Sequence, residues 1–263
     1  MNGEPVTESD RAPREALVQS VERSHEVVAA LRELRRATVT EVAAETSLSK
    51  GGAYKHLATL CASGFAVKEG NEYRLGLRYL DIGGQLRFEY PGSSTIKEKV
   101  RTLADQTGEA CLFTVAERGR AVTLFRETGN NGVFTRTRVG THLYLHQTAG
   151  GKAILSQLSG DAVDDIVDQV GLPRATENTI TDREALDEEL AAVRERGYAY
   201  NREESTDGLV AVAAPLVPDE EVLGACAVAG PRYRIGGDPL ESEIPETLLS
   251  VVNELELNIA HSQ

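Results

Sequence analysis

The sequence predicts an α+β protein in two parts, and two features of its 263 residues carry that prediction. Between residues 38 and 75 the pattern runs helix, tight turn, helix, hairpin, which is the order of a winged helix-turn-helix. From residue 95 onward short apolar stretches with strand character fall in two groups, with helical stretches between and outside them. That arrangement predicts a mostly antiparallel sheet flanked by helices.

Each element of the first part has a local cause. Thr38 and Glu41 are spaced as a capping box, so a helix starts there, with Val42 and Ala43 opening its apolar face. Thr46-Ser47-Leu48 breaks the pattern, and Ser49 is a good N-cap for a second helix running to about Ser63. Ala53, Leu57 and Leu60 recur at helical spacing and face inward, leaving Lys50, Tyr54, Lys55 and Thr59 on the outer face. His56 either joins that outer face or packs beside Leu57, because histidine is intermediate in burial preference. Gly64 stands where a helix stops in a left-handed residue. Residues 65–67 and 73–75 flank Glu69-Gly70-Asn71-Glu72 as a hairpin. The second helix is of a size to enter the major groove of DNA.

Around this motif the expected order is simple. Residues 1–19 are polar and carry Pro5 and Pro13, so they read as a mostly disordered arm grading into helix. A helix follows over residues 20–36, with Val27, Leu31 and Leu34 as its core stripe. Arg32, Arg35 and Arg36 near its end either contact phosphate or complement the helix dipole. Residues 76–90 form a second helical candidate striped by Leu77, Leu80 and Leu86, with Gly83 and Gly84 each costing it about 1 kcal/mol. Pro91-Gly92-Ser93-Ser94 marks a boundary. The expected division is thus an arm (1–19), a winged helix-turn-helix (20–75), a linker helix and hinge (76–94) and a second domain (95–263).

The second domain opens with a helix over residues 95–107, with Ile96, Val100 and Leu103 on one face. Strands are expected at 111–116, 120–126 and 133–139, then helices at 150–158, 161–170 and 182–196. The last of these has a second capping box, Thr181 with Glu184, and ends at Gly197. Strands at 198–201, 209–217 and 222–229 and a helix at 240–260 close the chain. There is no internal repeat.

Composition narrows the function. The chain is 41% hydrophobic, with no apolar run of membrane-spanning length and no signal peptide, so a cytoplasmic protein with no membrane partner is expected. Cys61, Cys111 and Cys226 form no C-x-x-C pair, which argues against zinc and against a disulfide framework. The net charge of -13 is unevenly spread: residues 14–90 carry 11 Lys/Arg against 10 Asp/Glu, whereas residues 91–263 carry 16 against 28. The acid lies away from the DNA-binding motif. Arginine outnumbers lysine 22 to 6, and the acidic excess fits either a salt-rich cytosol or an ordinary acidic bacterial protein.

No catalytic constellation stands out. The Gly151-Lys152 pair fails as a phosphate loop, because His146 and Ala153 occupy the positions that require Gly and Ser/Thr. There is no G-x-S-x-G, H-E-x-x-H or G-x-G-x-x-G. His142 and His146 read as surface or loop histidines, and Asp164, Asp165 and Asp168 as a solvated helix face. No metal and no cofactor are expected. Ala149-Gly150-Gly151 precede a helix and read in two ways. Their N–H groups suit an anion, with Lys152 adding charge unless it points to solvent; or the glycines form a turn required for packing.

The chain resembles regulators of the IclR family over about residues 20–260. The likeness rests on SLSKGGAYKHLATLCASGF (47–65), YRLG (73–76), TAGGKAIL (148–155), VRERGYAYNREE (193–204), GLVAVAAPL (208–216) and AVAGP (227–231). It implies that the winged helix binds operator DNA and that a GAF-like second domain binds a small effector. It also implies that the 76–90 segment packs across a homodimer, alone or within a tetramer. The DNA-binding residues it implies, together with the outer face of the second helix, are Arg23, Thr38, Ser49, Lys50, Gly51, Gly52, Tyr54, Lys55, His56, Thr59, Lys68 and Arg74. The effector-binding residues it implies are Leu145, Ala149, Gly150, Asn201, Leu209, Ala211 and Ala227. Two departures stand out. Asn201, Ala211 and Ala227 replace an acid, a thiol or a hydroxyl found in some members, so a less polar pocket is expected. Gly51-Gly52 replaces Ser-Thr, which shifts specificity towards Lys50, Tyr54, Lys55, His56 and Thr59. A small organic acid is the implied effector, coupled reciprocally to DNA binding. The rival readings are a DNA-binding scaffold without ligand and a GAF-like enzyme with a DNA-binding appendage.

Overall fold

The computed structural model describes residues 17–132 and 137–261. The chain divides into two compact units, one ending at Tyr90 and the other beginning at Pro91.

The first unit contains α1 (Gln19–Leu34), β1 (Ala37–Thr38), α2 (Val39–Glu45), α3 (Lys50–Ala62), β2 (Ala66–Glu69), β3 (Glu72–Leu75) and α4 (Arg78–Phe88). Thr38 and Glu41 complete the capping box of α2, and the Ser49 hydroxyl accepts from Gly52 N at the start of α3. Val27 and Leu31 of α1, Val42 of α2, Ala53 and Leu57 of α3 and Tyr73 of β3 close into one core. Gly64 ends α3 with φ 78°, a left-handed turn that glycine adopts at little cost. Three details differ from expectation. The first helix stops at Leu34 rather than Arg36, because Arg35 takes φ 65° and the chain turns to let Ala37 pair with Tyr73. That pairing makes the wing a three-stranded sheet, β1-β3-β2, where the sequence suggested two strands. The hairpin strands also run on through Glu69 and Glu72, which pair with each other and leave Gly70-Asn71 as a two-residue turn.

The second unit contains α5 (Ser93–Thr107), β4 (Ala110–Glu117), β5 (Arg120–Thr128), β6 (His142–Tyr144), α6 (Ala149–Leu155), α7 (Gly160–Val170), α8 (Arg183–Arg196), β7 (Ala199–Arg202), β8 (Leu209–Leu216), β9 (Gly224–Pro231), the short α9 (Arg232–Ile235) and α10 (Ile244–Ala260). Six strands form one sheet in the order β6-β5-β4-β9-β8-β7, and every neighbouring pair is antiparallel. The α+β class with an antiparallel sheet flanked by helices is therefore correct.

Strand alternation explains how the sheet receives two different layers. One face of β8 and β9 is built from Ala211, Ala213, Ala225, Ala227 and Ala229, and it packs against α6, with α8 beyond. Val210, Val212 and Val228 point the other way, where α5 and α10 cover the sheet. Small side chains on the α6 face bring the helix close and leave space where nothing fills it.

Two expectations are corrected here. A strand was expected at 133–139; residues 133–136 lie outside the described residues, and 137–139 form no strand. The strand that takes the free edge of β5 is β6, because Leu143 aligns with Ala121 and His142 with Val122. Asp182, not Thr181, caps α8, since its carboxylate accepts from Ala185 N at 3.0 Å while the Thr181 hydroxyl accepts from Arg174.

Candidate functional site

Each unit carries one candidate site. In the first, α3 turns Lys50, Gly51, Tyr54, Lys55 and Thr59 outward, while Ala53, Leu57 and Leu60 are buried. Tyr54 keeps 54% of its surface exposed, the mark of an aromatic held outside the core. His56 is half-buried, between its two readings. The remaining expected residues are partly committed to the fold. Thr38 and Ser49 act as caps, Gly52 N is taken by Ser49, and Arg23 is half-buried on α1. On the wing, Lys68 lies 5.7 Å from the Tyr73 ring centroid and stays exposed. Arg74 Nε donates to Glu69 Oε1 at 2.7 Å, and Arg36 Nη1 donates to Glu69 Oε2 at 2.6 Å. The Arg74 hydrogen bond, reinforced by Arg36, holds the Glu69 carboxyl below its ordinary range. Glu69 thus gathers two cations at the wing, a role not expected from the sequence.

The second site is a cavity of about 60 Å³ between the alanine face of the sheet and the first turn of α6. Six of the expected effector residues, Ala149, Gly150, Asn201, Leu209, Ala211 and Ala227, share its wall. Leu145 does not: it is buried in the core next to the cavity, 2% exposed, because the turn at residues 145–147 folds it inward against α6. The wall is also more polar than expected. Thr114 and Thr123, paired across β4 and β5, add hydroxyls, as do Thr137, Thr148 and Ser205. A threonine at an inward position of an otherwise apolar strand is a signal that strand periodicity contains. Ser205, in the loop after β7, carries no such signal. Among the described residues, no charged side chain lines this cavity.

The glycines at the head of α6 divide the two readings of the turn. A Cβ on Gly151 would lie 2.1 Å from the Leu145 carbonyl oxygen, so packing requires that glycine. A Cβ on Gly150 would lie 3.3 Å from Thr114 Cβ, and Gly150 borders the cavity. The expected charge of Lys152 is not free, nor does its side chain point to solvent. It is 1% exposed and its ammonium is bound to Glu204 at 2.6 and 2.8 Å, because no water reaches it there.

His146 also departs from expectation. It is 2% exposed, with Nε2 3.1 Å from the Pro173 carbonyl oxygen, whereas His142 is exposed on β6. Burial pushes the imidazole of His146 below its ordinary pKa of 6.5. Burial likewise pushes the thiols of Cys111 and Cys226 up to about 12, so both remain protonated. Among the described residues no cluster of three or more His, Cys, Asp or Glu could hold a metal, and no helix is long and apolar enough to cross a membrane.

Comparison with known proteins agrees with this architecture. Residues 20–70 match the model of the IclR helix-turn-helix domain, and residues 93–256 match that of the C-terminal domain of the bacterial transcriptional regulator IclR. A Halobacterium salinarum protein named Probable HTH-type transcriptional regulator ArcR is 27% identical over 97% of this chain and 98% of its own. The crystal structure of Thermotoga maritima IclR superposes with a TM-score of 0.77 at 22% identity, over 92% of this chain and 98% of that one. An IclR homolog from Microbacterium hydrocarbonoxydans, solved in complex with 4-hydroxybenzoate, superposes with a TM-score of 0.78 at 18% identity, over 93% and 100% of the two chains. With both of its compact units matched in order, the chain belongs to the IclR family of DNA-binding transcriptional regulators.

Proposed function

We propose that this regulator reads a pseudo-palindromic operator as a dimer and that a small organic acid in the second unit sets its operator affinity. The outer face of α3 enters the major groove, with Lys50, Tyr54, Lys55, His56 and Thr59 nearest the bases, while Arg23 and Lys68 meet phosphate and Arg74 does so once released from Glu69. A second copy covers α4, where Leu77 at the N-cap and Leu80, Leu86 and Phe88 on the helix are 76, 71, 65 and 81% exposed and no residue of the helix is buried. The action is cytoplasmic, where the DNA is.

The observation that carries the ligand reading is the cavity wall. It offers hydroxyls, the Asn201 amide and the backbone at the start of α6, and it presents no carboxylate. Such a wall suits a ligand rich in acceptor oxygens. Its 60 Å³ is about the liquid volume of two water molecules, so among organic acids a short hydroxy or keto acid asks the least opening of the walls. An aromatic acid such as 4-hydroxybenzoate requires the walls to open. No nucleophile and base are placed together there, so binding rather than turnover is the reading.

Genome-wide mapping of bound DNA, followed by a thermal-shift panel of short organic acids, tests the proposal. A ligand at 100 times its Kd should stabilise the protein by about 2.7 kcal/mol. Ala211→Phe, which fills the cavity, should abolish that shift and leave DNA binding intact. An unchanged shift in a folded Ala211→Phe protein removes Ala211 from the site, and a single unpaired half-site bound by monomer refutes the dimer.

A further inference from the structure

The Lys152 ammonium is sealed from water and shared between two carboxylates. Nζ donates to Glu204 Oε1 and Oε2 at 2.8 and 2.6 Å and lies 3.3 Å from Glu189 Oε1, which Arg196 also holds at 2.8 Å. Glu204 is 7% exposed. A buried ion pair of this kind adds little net stability over an apolar pair of the same shape, so its contribution lies elsewhere, in geometry.

The pair joins opposite walls of the cavity. Lys152 belongs to α6, whose first turn supplies Ala149 and Gly150; Glu204 belongs to the loop after β7, and that strand and loop supply Asn201 and Ser205. From Glu204 the order passes to the rim. Glu204 N donates to Asn201 Oδ1 at 2.8 Å, and the Thr179 hydroxyl donates to the Glu204 carbonyl at 2.7 Å. A backbone N–H demands an acceptor, so the Asn201 oxygen faces Glu204 and its amide nitrogen faces Ser205. That nitrogen donates to Ser205 Oγ at 2.7 Å. With its oxygen accepting from Asn201, the Ser205 hydroxyl has its proton left to donate.

We propose that the Lys152–Glu204 pair is the positioning element of the pocket, and that through Asn201 it presents the Ser205 hydroxyl as a donor to an acceptor oxygen of the ligand. This rests on the reading of the cavity as the ligand site. Ser205 is then a specificity residue: its free proton favours a carboxylate or keto oxygen.

Hydrogen exchange without ligand tests the positioning, and titration with lactate tests the contact. In Lys152→Met/Glu204→Leu, which leaves no unpaired charge between these two sites, the amides of 201–206 and of the first turn of α6 should exchange about tenfold faster or more. Those of β4 and α10 should be unchanged. Uniform acceleration throughout the second unit, or no change at the rim, overturns the positioning role. If the double variant does not fold, Glu204→Gln is read in the same way, since Glu189 still neutralises Lys152. For lactate, both the double variant and Ser205→Ala should raise the midpoint of protection up to about tenfold, the loss of one hydrogen bond. Ser205→Ala should remain folded, with a melting temperature lowered by roughly 2–12 °C as the buried Asn201 amide loses its acceptor. An unchanged midpoint in Ser205→Ala overturns the contact. Absence of any lactate protection in the wild type rejects short hydroxy acids as ligands, and the Ser205 contact with them, while the exchange result stands by itself.

Discussion

Two adjacent glycines at the head of α6 should respond in opposite ways to the same methyl group. A Cβ on Gly151 would sit 2.1, 2.5 and 2.6 Å from the oxygen, Cα and carbonyl carbon of Leu145, all backbone atoms. Carbon contacts settle near 3.5–4.0 Å, so the turn at residues 145–147 would have to move by roughly 1 Å or more. That turn is anchored: Gln147 Nε2 donates to the Pro173 carbonyl at 2.7 Å, and Lys152 holds α6 to Glu204. Gly151→Ala should therefore cost about 3 kcal/mol or more, the upper end of overpacking. At about 2–4 °C per kcal/mol for a unit of this size, melting should fall by roughly 6–12 °C. Gly150→Ala meets only the Thr114 side chain, at 3.3 and 3.4 Å, which can give by a few tenths of an ångström. Its cost should stay near ~1 kcal/mol or less, but its methyl enters a cavity of 60 Å³ and should abolish stabilisation by a bound acid. The assay is calorimetric melting of the three proteins with and without lactate. A Gly151→Ala protein melting with the wild type, or below it by less than Gly150→Ala, refutes the packing argument.

Three further outcomes follow from named contacts. Gly51→Ser with Gly52→Thr should raise stability by less than about 1 kcal/mol, because a Cβ on Gly51 meets nothing within 4 Å and one on Gly52 meets only Leu48 and Ser49 side chains at 3.4 Å. Operator affinity at one fixed salt concentration should be unchanged or improved, and a large loss in the folded dimer would show that DNA backbone approaches α3 too closely for a side chain. Glu69→Gln should free Arg36 and Arg74 for phosphate, strengthening binding at low salt and steepening the log–log salt slope by about one to two units; an unchanged slope would place both arginines off the DNA. His146 binds a proton less readily folded than unfolded, so stability should be constant above pH 6.5, fall as pH drops below it and level off beneath the folded pKa. Denaturant midpoints of His146→Gln across that range should lose this component, and an identical pH profile would exclude His146 as its source.

What could be read from the sequence was what short-range chemistry decides. Ser49, Gly64 and the Thr38–Glu41 box act on neighbours three residues away or on their own backbone, and each stands where its type predicts. Apolar periodicity likewise placed Ala53, Leu57 and Leu60 in the core. The misses depend on partners distant in sequence. Ala37-Thr38 is a strand only because Tyr73 and Glu72 lie beside it, and β6 is a strand only through its register with β5. The Asp182 cap shows the limit even of local signals, since Thr181 and Asp182 both qualify and differ by one residue.

The pocket divides along the same line. Alternation along β8 and β9 contains its alanine face, and a threonine in an inward register of β4 or β5 announces a polar wall. Lys152 could not be read this way, because a lysine after two glycines looks solvated until Glu204, 52 positions away, is brought to it. The same separation explains why Glu69 was read as a turn residue while it gathers Arg36 from 33 positions away. In both places a carboxylate, acting on a cation far along the chain, decides which charges are free for a ligand. The sequence shows the cations of both units, but only the fold shows which are already held. A count of Lys and Arg therefore overstates what remains for DNA or for an organic acid. In the second unit Lys152 is already held by Glu204, and the cavity wall instead carries uncharged hydroxyls.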